Sequence, residues 1–87
     1  MTLSFPNFSR SFDTTRGSVR FSGYDKTREI PFFVEEEAIR SITDGALTDA
    51  QSLLLAFDAH RTRICQVAGD AYAKRREGSY TLRTADF

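Results

Sequence analysis

The side chains able to do proton or metal chemistry are few: one histidine, His60, and one cysteine, Cys65. At about 100° per residue, helical geometry puts His60 in an apolar stripe with Phe57 and Ile64. There it could be a general base or a metal ligand, or a core-edge histidine bonded to a carbonyl or carboxylate. Catalysis needs a nucleophile and an orienting partner within reach. Cys65 does not serve, because five residues carry it about 140° round the same helix. The structural reading of His60 therefore takes precedence. Cys65 reads as a small apolar filler, since a reactive thiol needs neighbours that lower its pKa.

Metal chemistry fares no better. Zinc needs three or four Cys, His or carboxylate ligands, and one His with one Cys on different helix faces does not begin a set. Glu35-Glu36-Glu37 could suggest a hard-cation site, but consecutive helical residues splay by about 100° each. They read as a charged first turn. The P-loop, G-x-G-x-x-G and H-E-x-x-H patterns are absent from the sequence. The expectation is a chain with no catalytic residue, no metal site and no cofactor, and not an enzyme.

Two polar groupings remain. Arg61 flanks the apolar stripe, and a partly buried Arg needs a carboxylate or carbonyl acceptors. Asp86 and Asp13 are the expected partners in a structural ion pair, with anion binding as the alternative. His60, Arg61 and Asp86 thus form a candidate ligand or structural polar site. Lys74-Arg75-Arg76, with Tyr80 and Arg83 nearby, is the candidate basic patch. Nucleic acid would use those charges together with stacking on Tyr80. The competing reading is charge complementing a helix C-terminus, and Glu77 dilutes the patch.

The elements that must position these groups can be traced by periodicity. Ser18–Ser22 alternates, with Val19 and Phe21 on one face. Gly23–Thr27 carries turn residues, and Glu29–Val34 alternates again with Ile30, Phe32 and Val34 together. This is a β-hairpin with a loop of moderate length. Pro31 lacks an amide donor, so its strand should be an edge, or its nitrogen should face outward. Glu35-Glu36-Glu37 opens a short helix through Ile42, ended by Asp44-Gly45. Thr48 and Gln51 form a capping box for one long helix to about Arg76, stopped by Gly78. Its stripe is Leu53, Phe57, Ile64, Val67, Ala68 and Ala71. Ser79–Arg83 is a last strand presenting Tyr80 and Leu82.

The fold class expected is α+β, in β-β-α-α-β order. A small antiparallel sheet of about three strands is covered on one face by one short and one long helix. Residues 17–87 form the single domain. Residues 1–16, with Phe5, Phe8 and Phe12, form an irregular or extended arm docked on it, because three exposed rings would invite association.

Phe5-Pro6, Val19-x-Phe21, Phe32-Phe33-Val34 running into Ala38-Ile39, and Phe57-x-x-x-Arg61-x-x-Ile64 resemble the family catalogued as domain of unknown function 1488. The ending Tyr80-x-Leu82-x-x-x-Asp86-Phe87 looks like that family's too. The resemblance spans nearly the whole chain and implies a short bacterial α+β protein. It carries no assigned activity or catalytic residue.

Composition bounds the rest. At 87 residues, with 40% apolar and 28% charged side chains, the chain suits one globular domain. Twelve basic residues balance twelve acidic ones, so no overall field steers it to nucleic acid or an anionic membrane. A single cysteine excludes an internal disulfide. The start lacks a basic and then apolar signal pattern, and no apolar run approaches the ~20 residues of a membrane span. A cytoplasmic setting follows as the expectation. The expected role is a protein-interaction module, with a homodimer as one form of it. Its motive is a second sheet face, since Phe33 points away from Ile30 and Phe32. The alternatives are weak nucleic-acid binding through the Lys74–Arg76 turn, and an anion or small-molecule sensor around Arg61 and His60.

Overall fold

Alternation produces the sheet. Val19 and Phe21 on one strand, and Ile30, Phe32 and Val34 on the next, are at most 3% exposed. The residues between them turn to the opposite face, as a period of two demands. In the computed structural model, which describes residues 3–6, 9–43, 49–75 and 77–87, these strands are β2 (Ser18–Asp25) and β3 (Arg28–Glu35). A third strand, β1 (Ser11–Asp13), precedes them, and β4 (Tyr80–Leu82) closes the sheet in the order β1-β2-β3-β4. The architecture is α+β, with four strands among the described residues rather than about three.

The added strand comes from the expected arm. Phe12 pairs with Val19 across β1 and β2 and packs its ring against the core. Sequence alternation over three residues is too short to announce a strand. Between β1 and β2 the turn is built by Asp13, whose carboxylate accepts the amides of Thr15 and Arg16 at 3.0 and 3.1 Å. Gly17 at φ 59 completes it, a conformation that suits glycine.

The sheet is mixed, not antiparallel: β4 runs parallel to β3, with Phe32 opposite Tyr80 and Val34 opposite Leu82. Parallel neighbours need a long crossover, and the helices between β3 and β4 supply it. Pro31 therefore lies in an interior strand. Its ladder with β4 begins only at Phe32, so β3 is locally an edge where the missing amide falls. The β2–β3 hairpin is also tighter than expected, with Gly23 and Tyr24 inside β2 and the turn confined to Lys26-Thr27. Gly23 is needed for close approach instead. A Cβ there would stand 2.7 Å from the Phe5 ring and 3.1 Å from Leu3.

The short helix α1 (Glu36–Ile42) follows β3 directly, with Ala38 and Ile39 buried. Its expected end at Asp44-Gly45 lies outside the described residues. The long helix is broken. Helix α2 (Ala50–Ala59) and helix α3 (Arg61–Lys74) meet at His60, whose φ of −110° and ψ of 19° leave the helical region. A straight helix over both would run about 37 Å, well past the roughly 27 Å of an eight-residue strand. The break lets α2 lie on β1 and β2 while α3 lies on β4. It costs little in hydrogen bonding: the His60 amide still reaches Ala56 O at 3.1 Å, and its carbonyl accepts Ile64 N at 3.0 Å.

Both halves keep their greasy side inward, with Phe57 and Ile64 fully buried. The stripe is shifted in α3, where Tyr72 is buried and Val67 and Ala71 only partly so. At the start of α2 the cap is Asp49 with Ser52, whose amide reaches the Asp49 carboxylate at 2.8 Å. The expected Thr48 lies outside the described residues. Helix α3 ends at Lys74, four residues before Gly78, because the Tyr80 hydroxyl takes over there. It donates to Arg75 O at 2.6 Å and accepts from Glu77 N at 2.9 Å. A final 3₁₀ turn, Thr84–Asp86, leans on α1.

Candidate functional site

The polar grouping around His60 and Arg61 resolves into hinge and clasp. His60 caps both helices at the break. Arg61 pairs with Asp58 at 3.2 Å and lies over the Phe57 ring at 4.8 Å. The expected partners are engaged elsewhere. The Asp86 carboxylate accepts the Arg83 amide at 2.7 Å, and Asp13 holds its own turn. Among the described residues, the ion pair of Arg61 is with Asp58 rather than with Asp86 or Asp13. Asp58 is the residue the sequence reading missed. It also takes a two-pronged bond from Arg10, Nε to Oδ1 at 3.0 Å and Nη2 to Oδ2 at 2.8 Å. Hydrogen bonds from Arg10, and then from Arg61, hold the Asp58 carboxyl below its ordinary pKa. The arm is thereby fastened to α2. No sequence signal marked the pairing, because 48 residues separate the partners.

Cys65 is half-buried, and burial pushes its thiol pKa up, the opposite of a reactive thiolate. The basic patch is also changed. Tyr80 is 1% exposed, with its ring stacked on Phe32 at 5.2 Å, so it offers no platform to a nucleic-acid base. Arg75 pairs with Glu77, and Arg76 lies outside the described residues. Lys74 remains an exposed end-of-helix charge.

The open side of the sheet holds what is left. The helices pack on the face carrying Val19, Phe21, Phe32 and Leu82. On the other face, strand register sets out rows: Ser11, Arg20, Phe33 and Thr81 in one, and Asp13, Ser18 and Glu35 in the next, which Arg83 extends. Phe33 sits mid-face. It is 7% exposed because the Arg16 guanidinium covers its ring at 4.1 Å. That cover is lightly held, since Arg16 reaches Asp13 only at 4.0 Å. Arg20, directly across from Phe33, is exposed and has no ion pair among the described residues. Glu35 and Arg83 approach at 3.6 Å. Shallow depressions flank this centre, one by Ser9, Ser11, Ser22 and Glu29 and the other by Ser18, Thr81 and Arg83. Neither is lined by His60 or Arg61.

Comparison with known proteins agrees with this architecture. No curated protein matches the chain. The crystal structure, at 1.60 Å, of a protein of unknown function from Shewanella loihica PV-4, of the DUF1488 family, superposes with a TM-score of 0.83. It is 13% identical, and the alignment covers 94% of each chain; at that identity the likeness shows a shared fold. The family described as protein of unknown function, DUF1488, matches residues 3–83. With that match extending from the arm to the end of β4, the chain belongs to the DUF1488 family.

Proposed function

We propose that this protein is a non-catalytic protein-interaction module whose contact surface is the helix-free face of its sheet. One observation carries the reading: Phe33, an aromatic side chain in the middle of that face, is covered by the long side chain of Arg16, with Arg20, which has no ion pair among the described residues, beside it. Aromatic residues and arginine are the side chains most enriched where protein interfaces concentrate their binding energy. The balanced charge and the half-buried, raised-pKa cysteine suit the cytoplasmic setting that we propose with it. Among the described residues no helix is long and apolar enough to cross a membrane.

Affinity capture on immobilised chain tests the reading. Arg20→Glu, on the open face, should abolish retention of its partners, its own copies included. Thr62→Glu, on the exposed side of α3, should retain them. Equal retention by both variants and the wild type would contradict the assignment.

A further inference from the structure

The rows of the open face are complementary to themselves. We infer that this face binds a second copy of the chain, sheet against sheet, about a two-fold axis running between β2 and β3 parallel to the strands. This rests on the reading of the open face as a contact surface and names the partner.

Such an axis places each β2 residue over the partner's β3 residue of the same row, and each β1 residue over the partner's β4. Arg20 is opposite Phe33 within one chain, so in the pair each Arg20 lies over the other copy's Phe33, twice by symmetry. Asp13 shares a row with Glu35, one residue beyond the Val34–Leu82 pair, and hence with Arg83. Each Asp13 therefore faces the other copy's Arg83. Ser11 meets Thr81 in the same way, and Glu35 falls diagonally opposite Arg20. No like charges meet head-on. Packed sheets lie about 10 Å apart and rotate by about 30°. Over one and a half strand spacings that displaces the outer strands by about 4 Å, within the reach of an arginine. Arg16 must swing off Phe33, which its long contact to Asp13 permits.

Magnitude sets the strength. Two strands of eight residues and two of three residues, at about 3.4 Å per residue and about 4.8 Å apart, give a face of roughly 350 Å². A stable interface usually takes about 800 Å² from each partner. The pair is therefore weak and concentration-dependent, with dissociation in the micromolar to millimolar range.

Sedimentation equilibrium from about 10 µM to 1 mM reads this directly. Wild type should show a monomer–dimer equilibrium. Arg20→Glu and Glu35→Arg should each weaken it at least tenfold, and the double variant should weaken it by less than the product of the two losses, because the diagonal contact is reversed rather than lost. Both positions tolerate exchange: Arg20 is exposed, and Glu35 makes no side-chain cap to α1 and gives up only its 3.6 Å pair with Arg83. Amide shifts of the wild type should move with concentration at Ser11, Ser22 and Thr81 but not along α2, independently of any variant. A strict monomer at 1 mM overturns the dimer. A dimer indifferent to both single changes overturns the surface, and losses that simply multiply in the double variant overturn the register. Monomeric wild type that still loses captured partners through Arg20→Glu would reject the dimer alone and leave the interaction reading intact.

Discussion

At the scale of single residues, Asp58 is a polar centre shared by three parts of the fold. It binds Arg10 through both oxygens and Arg61 through one, and so ties the arm, α2 and the first turn of α3. Its side chain is 39% exposed, so water and salt screen the pair and its contribution is modest. The sign of its pH dependence follows from the lowered folded pKa. The stabilisation is complete above the unfolded value, about 3.9, and is lost as pH falls through the depressed folded value. Asp58→Asn should lower Tm by a few degrees at pH 7. The gap from wild type should narrow as pH falls below about 3.9, the unfolded value. Thermal melts over that range check it, and a gap that widens in acid would refute the role. Arg61's need for a carboxylate was legible in the residues, and Asp58 three positions before it is a local partner that helical spacing offers. The Arg10 contact was not legible, because it depends on the arm's path across 48 positions.

At the scale of elements, strong periodicity carried through and short or tertiary features did not. The alternation of Val19-Phe21 and Ile30-Phe32-Val34 specified β2 and β3, and the apolar spacing of Leu53, Phe57, Ile64 and Ala68 specified a buried helical stripe. The break at His60 carries no proline or glycine, so no residue type marks it. It reflects the length of the helix against the sheet below. The parallel direction of β4 likewise depends on how three helices return the chain. Gly23 shows the same gap, because its value lies in contact with the arm rather than in a turn. Gly→Ala in a strand would by itself stabilise by up to about 1 kcal/mol. Here the new methyl would collide with Phe5 at 2.7 Å, so Gly23→Ala should instead cost about 1–3 kcal/mol. The arm should then be cleaved faster by protease while the hairpin stays protected. An unchanged or raised Tm would refute the packing account.

At the scale of the whole molecule, one core joins every layer. Phe21, Phe32, Phe57, Ile64, Tyr72, Tyr80 and Leu82 belong to a single buried cluster, with Phe21 and Phe57 ring centres 5.0 Å apart across sheet and helix. Unfolding should therefore be one cooperative transition. Phe57→Ala should remove about 3–5 kcal/mol from a total of roughly 5–10 kcal/mol, leaving a chain close to unfolding at 37 °C. Denaturant curves followed by fluorescence and circular dichroism would test both statements; separate midpoints for the two probes would contradict the single core. Such a small domain invests its helices on one side of the sheet and leaves the other to Phe33 and its surrounding charges. The asymmetry is the basis of the functional assignment. A photo-crosslinking side chain at Ser22, on the open face, compared with one at Thr62 on α3, measures it most directly in living cells. The account predicts protein adducts from Ser22 and none above background from Thr62. Adducts from Thr62 alone, or from neither position, would contradict it.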